Sequence, residues 1–391
     1  MKKSVISCLL FLFTLTATFG LVGCNKDNDK TAHRHAFTEQ KTEQAYFASE
    51  ATCTEPAKYY YSCSCGKSEG DNSHTFTSGK ALGHQLGNWQ TIDGKTVKRC
   101  TRNGCNYCET ASQGLEYKVN QDDDTTCTIT EKGTCTDKKI TIPETIDGYT
   151  VTAIGEKAFK SYGIASVVIP DSVTSIAKSA FYECKHLLSV TIGSGVTFIG
   201  NSAFGGCETL VEIINNSSLN IEKGKRDNGD VAYSALNVKK GGASEIVAEN
   251  DFLFYTYDNV NYLLSCLSEP SILRLPENYN GQSYRIYKSA FFSSFDYSEL
   301  IISEGATFIG NFSFSGNDKL RSVTIENPEI SIDKYAFAAC RYLKKFIFNG
   351  TIQQWNNLKK SDDWDLYVGI ENTGKSHPSY TVTCTDGTVN S

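Results

Sequence analysis

Between Val173 and Cys184 the chain reads "VTSIAKSAFYEC", and between Val196 and Cys207, 23 residues later, it reads "VTFIGNSAFGGC". Self-similarity at a fixed period of about 20–50 residues marks a stacked repeat architecture, and it constrains the fold more tightly than any composition does. Phe159, Phe181 and Phe204 follow at steps of 22 and 23, and Phe291, Phe314 and Phe337 at steps of 23 and 23. Ala158, Ala180, Ala203, Ala290, Ser313 and Ala336 precede these six rings, so a small residue lets the coil close over each phenylalanine. Ile169 and Ile192 keep the same step, as do Ile302, Ile325 and Phe348. Each repeat holds two short alternating stretches, such as "LLSVTI" and "VTFIG". Alternation at period two predicts half-buried strands. One repeat is too thin to bury its own apolar face, and stacking several gives a continuous core.

The unit, roughly "IP…VTSIG…AF…C…L", resembles the leucine-rich repeat of BspA-like bacterial surface proteins over about Ile140 to Phe348. The resemblance implies an α/β leucine-rich-repeat solenoid, strand-rich, used as a binding surface rather than as an enzyme. The tail "FNGTIQQWNNLKKSDDWD" with "YTVTCTDGTV" is similar to the usual ending of such proteins, and residues 349–391 are expected to cap the stack. The array is broken once. Phe204 to Phe291 is 87 residues, not a multiple of 23, and the apolar content between them predicts a folded but irregular insertion at about residues 215–270 packed on the solenoid. The restart "LRLPENYNGQSYRIYKSAF" echoes "ITIPETIDGYTVTAIGEKAF", matching Pro276 to Pro143 and Gly281 to Gly148.

At the other end, Lys2 and Lys3 precede an apolar run to about Phe19, which reads as a secretory signal over residues 1–23 rather than a membrane span. "LVGC" resembles the bacterial lipobox, which implies lipidation at Cys24 and a location in the cell envelope facing outside. Two acyl chains are what stable anchoring requires. Residues 24–32 are then a polar tether. Removing residues 1–23 takes two of the 38 basic residues and no acid, leaving a formal charge of −8 against −6 for the whole chain. An acidic chain lacks the basic footprint of a nucleic-acid binder.

Residues 33–112 hold two blocks that read as copies of one small module, each opening with histidine and closing with cysteines. The first offers His35, Cys53, Cys63 and Cys65, and the second His84, Cys100, Cys105 and Cys108. Three thiolates and an imidazole satisfy tetrahedral zinc. Export favours disulfides instead, within or across modules. Either would hold together a segment too small for a core of its own. Cys127 and Cys135 bracket "TITEKGT"; a hairpin turning near Glu131–Gly133 would set them opposite each other for a cross-strand disulfide. Cys184, Cys207 and Cys340 occupy one position of the repeat at residues 113–348 and are expected as small buried residues.

No phosphate loop or dinucleotide fingerprint occurs. Asp122–Asp124 and Asp362, Asp363 and Asp365 lack the glycine-turned spacing of a calcium loop and read as solvated. The surface is left. In the alternating stretches the outward row runs Val168, Thr191, Ile214, Ile301, Thr324 and Ile347, with Arg321, Lys344 and Lys345 beside it. Strand propensity alone explains a β-branched row. An apolar stripe for a protein partner, such as host matrix or another cell surface, is the functional reading. The alternative is glycan capture, with Trp89, Trp355, Trp364 and the tyrosine-rich insertion as stacking platforms.

Overall fold

The computed structural model describes residues 35–70, 74–88, 90–92, 95–293, 296–370 and 378–391. The expected signal peptide, the lipidation site Cys24, the tether and Trp89 lie outside the described residues. Two compact units emerge. One takes the described residues up to Gln90 together with Lys98–Glu109, and the other takes Thr91–Val97 and Thr110–Ser391.

In the N-terminal unit, Phe47–Ser49, Ala57–Tyr60 and Thr75–Ser78 pair antiparallel in one small sheet. Phe37, Tyr46 and Phe76 are its buried aromatic residues. Tyr59 packs on Phe47 and Phe76.

The larger unit is the repeat body, and it contains two arrays built on one plan. In the first array the strands Lys139–Thr141, Ser166–Val168, Ser189–Ile192, Glu212–Asn215 and Asn237–Lys239 form a parallel sheet. Its register sets Ile140, Val167, Val190, Ile213 and Val238 side by side. A second, narrower sheet runs Tyr149–Ile154, Ser175–Ile176 and Phe198–Ile199, and it is started by the antiparallel hairpin Glu116–Val119/Thr126–Glu131. The second array repeats this. Ile272–Arg274, Glu299–Ile302, Ser322–Ile325, Lys345–Phe348 and Thr381–Cys384 are parallel, and Gly387–Asn390 adds an antiparallel edge. Its narrow sheet, Tyr284–Ile286, Ala306–Ile309 and Ser331–Ile332, starts from the hairpin Phe252–Tyr257/Val260–Cys266.

The expected irregular insertion therefore contains regular pieces of both arrays. Asn237–Lys239 closes the first array, and the 252–266 hairpin opens the second as the 116–131 hairpin opens the first. The echo between the two restart sequences reflects this shared beginning.

The α/β expectation needs correction, because the fold is a strand-rich leucine-rich-repeat β-solenoid. Among the described residues the one α-helix is Ile352–Asn357. No helix among them is long and apolar enough to cross a membrane. The third side of each coil, which carries the Ala-Phe pair, sends alternate backbone donors to the next repeat and bonds the others within its own turn, as Ala180 N–H does to Ala177 O at 3.3 Å. Phe159 N–H donates to Ala180 O, Phe181 N–H to Ala203 O and Glu183 N–H to Gly205 O, each at 2.7 Å. Positive φ at Ser179 and Glu183, both 57°, aims these donors along the stack. A helix would have used the same groups within the chain segment.

The core is a ladder of rings. Phe159, Phe181 and Phe204 stack at centroid spacings of 5.0 and 4.9 Å, and Phe291, Phe314 and Phe337 at 5.2 Å twice. The repeat cysteines serve the same stack. Cys184 Sγ donates to Phe159 O at 3.0 Å, Cys207 Sγ to Phe181 O at 3.1 Å and Cys340 Sγ to Phe314 O at 3.1 Å. Where the repeat has Asn317 instead, its Nδ2 donates to Phe291 O at 2.9 Å. At the C-terminal end, Thr351 and Gln354 form a capping box on the short helix. Trp355 and Trp364 there pack against Phe337, Phe346 and Phe348.

Candidate functional site

Two places merit a functional reading. The first is in the N-terminal unit. Cys53, His84, Cys100 and Cys105 converge so that one donor atom from each lies within 4.8 Å of the others. Cys53 Sγ stands 3.7 Å from Cys100 Sγ, and His84 Nδ1 stands 3.3 Å from Cys105 Sγ. His35, Cys63 and Cys65 form a smaller group of the same kind, with His35 Nδ1 3.3 Å from Cys65 Sγ. Cys108 is exposed and stands in neither group. The expected assignment of donors block by block thus fails at two residues: Cys53 joins the second block's donors, and Cys108 leaves them.

Backbone pairing explains the exchange. Leu82 N–H donates to Thr52 O at 2.8 Å, which brings Cys53 beside the segment leading to His84. Thr101 N–H donates to Gln85 O at 2.7 Å and Gly87 N–H to Arg99 O at 2.9 Å, laying His84 against Cys100. Gly104, at φ +75°, permits the turn in which Cys105 N–H donates to Arg102 O and returns Cys105 to the group. The His84 ring stacks on Tyr107 at 3.7 Å and 6°, and Arg102 Nε donates to Gly83 O at 3.2 Å beside it. Burial works against ionisation of Cys100, but the Arg102 backbone, the His84 side chain, the Gln85 backbone and Cys105 together bring its thiol below the usual range. Burial, with Cys105 and Cys100 as neighbours, pushes Cys53 up. Arg102 and Tyr107 escaped sequence reasoning, since neither residue type marks a donor set.

The second place is the outward face of the long strands. The register sets Arg274, Ile301, Thr324, Ile347 and Thr383 in one row, and Ile272, Glu299, Ser322, Lys345 and Thr381 in the next. Ile301 and Thr324 are half-buried, while Ile272 and Ile347 are 49% and 36% exposed. In the first array Thr191 is half-buried, but Ile214 is only 2% exposed and drops out of the accessible row. The chain beyond Lys239 lies over this end of the sheet. Glu245 N–H donates to Glu212 Oε1 at 3.3 Å, and Lys239 Nζ meets Glu212 at 2.8 Å and Glu245 at 3.3 Å. The basic residues Arg321, Lys344 and Lys345 are all exposed, Lys345 in the row that holds Glu299. Arg321 donates to Asp318 O at 2.7 Å and lies over the Tyr342 ring, and Lys344 Nζ donates to Gly369 O at 2.7 Å.

Two expectations are overturned. Trp355 and Trp364 are 5% and 7% exposed in the C-terminal core, so neither offers a face to a sugar. Cys127 and Cys135 are both buried free thiols. The strand Thr126–Glu131 pairs antiparallel with Glu116–Val119 before it and parallel with Tyr149–Ile154. Cys127 therefore faces Val119 and Val151 in register, not Cys135.

The family-model match agrees with the repeat spacing. The family model of the BspA type leucine rich repeat region matches in six copies, over residues 133–225 and 274–359. Among solved structures, the T. pallidum leucine rich repeat protein TpLRR is 19% identical over 62% of this chain and 87% of its own, at a TM-score of 0.26. A leucine rich cell surface protein of Faecalibacterium prausnitzii A2-165 is 20% identical over 63% and 96%, at 0.26. A leucine-rich repeat protein of Bacteroides capillosus ATCC 29799 is 27% identical over 39% and 99%, at 0.26. No curated protein matches. Residues 133–225 and 274–359 thus carry leucine-rich repeats of the BspA type.

Proposed function

We propose that the chain is a bacterial surface protein, lipid-anchored through Cys24, whose second array docks a protein partner on its outward strand face. It acts by binding and not by catalysis. The observation that carries this reading is the five-strand parallel face from Ile272 to Cys384, where isoleucines stay accessible next to Arg274, Glu299 and Lys345. Apolar area rimmed by charge is the usual composition of a docking patch. The glycan alternative loses Trp355 and Trp364 to the core, and nothing else in the geometry favours it over a protein.

The test is a screen of the soluble chain, from residue 25, on protein and glycan arrays, repeated with Ile301→Glu plus Thr324→Glu. Both side chains point away from the core, so the melting curve should be unchanged. Binding to any protein hit should fall at least about tenfold, because a charge buried unpaired at an interface is costly. A protein hit that survives the double substitution, or hits confined to glycans, refutes the docking face. Retention of the Cys24→Ala chain in the membrane fraction at the native level would refute the anchor, and its loss from that fraction is expected.

A further inference from the structure

We infer that Cys53, His84, Cys100 and Cys105 form a closed tetrahedral site for one structural zinc ion, with donors drawn from both cysteine blocks. The geometry is the first reason. With Zn–S near 2.3 Å and Zn–N near 2.0–2.1 Å, a tetrahedron has edges of about 3.8 Å between sulfurs and about 3.6 Å between sulfur and nitrogen. The separations of 3.7 Å between Cys53 and Cys100 and 3.3 Å between Cys105 and His84 lie close to those edges.

Donor chemistry is the second. Three thiols with one imidazole are a soft set suited to zinc, and four protein donors leave no open position for substrate, which is the mark of a structural site. Disulfides fit less well. A bond between two of three cysteines strands the third beside the histidine, and the 3.7 Å separation is far from the roughly 2.05 Å of a sulfur–sulfur bond.

The surroundings are built in the same sense. Arg102 Nε donates to Gly83 O next to His84, and the Tyr107 ring stacks flat on the His84 imidazole. Such outer contacts orient the donors of a metal site. A cation here would tie residue 53 to residues 84, 100 and 105 in a unit whose buried aromatics are Phe37, Tyr46 and Phe76. Small units with thin cores use such staples. The inference is independent of any partner on the repeat face.

The test uses the purified chain, kept reduced and freed of loose metal. Elemental analysis should find at least one zinc per chain. Thiols are alkylated with and without a strong chelator, and the modified cysteines are mapped by mass spectrometry. Cys53, Cys100 and Cys105 should resist before chelation and react together after it, while Cys108 reacts in both. Cys105→Ser should lower the zinc content by one per chain, and Cys108→Ser should leave it unchanged. Alkylation of the three that ignores the chelator overturns the site, and so does a disulfide joining any two of them. Chelator-dependent protection confined to Cys63 and Cys65, or parental zinc content in Cys105→Ser, does the same.

Discussion

Glu212 and Glu299 hold the same position in the repeat, one in each array, and meet opposite surroundings. Glu212 is fully buried and bound by Lys239, with the Glu245 backbone over it; Glu299 is exposed. Ile214 and Ile301 differ in the same sense two residues on. The repeat fixes the direction in which a side chain points, through the alternation of the strand. Whether that direction ends in water depends on where the chain goes after the array. Past the first array it runs across the sheet face before forming the 252–266 hairpin. Past the second it folds at the end of the stack, as the short helix and an in-plane hairpin. The first array thus ends in a junction and the second in a display surface.

The sharpest check on this comparison is the core, where the arrays should not differ. Phe181 and Phe314 are each the middle ring of a three-ring ladder and are fully buried. Phe181→Ala and Phe314→Ala should each destabilise the chain by ~3–5 kcal/mol in denaturant unfolding, the usual cost of truncating a buried phenylalanine. A loss under 1 kcal/mol in one array alone would mean that the arrays are not built alike. The glutamates come next. Removing the Glu212 carboxylate should cost about 2–3 kcal/mol, less than the ~3–5 of a wholly buried pair because Lys239 keeps some contact with water. Glu299→Ala should stay within ~0.5 kcal/mol, as surface changes do. Equal effects at the two positions would dissolve the distinction between junction and display surface.

How much of this was written in the sequence depends on the range of the interaction. The ladder of phenylalanines, the buried thiol position and the outward direction of Thr191 and Thr324 follow from spacing, because neighbours in the stack are one repeat apart in the chain. The absence of helix on the third side was not legible, since the motif does not say whether Ala-Phe donors turn inward or along the stack. Burial of Ile214 and the joining of Cys53 to His84 depend on pairings set by Glu245 and by Leu82, tens of residues away and outside any repeat. Trp355 and Trp364 misled for a related reason: a tryptophan in a polar stretch reads as exposed until the segment carrying it is docked. An odd number of cysteines in each block was the one signal available for an exchange between blocks.

The smallest effect distinguishes the arrays by pH. Burial pushes Tyr255 up to about 12, with Glu212 and Glu245 adding to the rise and the hydrogen bond from Asn237 opposing it. Burial likewise raises Tyr279, Tyr284, Tyr287, Tyr297 and Tyr380. All six belong to the second array and its cap. In the first, Tyr149, Tyr162 and Tyr182 are half-buried, and Tyr117 is raised through its hydrogen bond to Asp147. Raised thiols fall on both sides, at Cys127 and Cys207 and at Cys266 and Cys340, so the tyrosines decide. An unfolded tyrosine ionises near pH 10, before its buried counterpart. The folded state then holds more protons than the unfolded one, and stability falls as pH rises from about 10 toward the folded values. Lys288 and Lys360, both lowered by burial, act the other way just below that range, but they are two groups against six. The second array should therefore open first in alkali. Tryptophan fluorescence can follow it alone, because Trp355 and Trp364 sit in its cap and Trp89→Phe removes the third indole. With rising pH the fluorescence change should precede the loss of far-ultraviolet circular dichroism, which reports both arrays. Coincident transitions would mean that the junction couples the arrays into one cooperative body, and that their different faces do not make them separately stable.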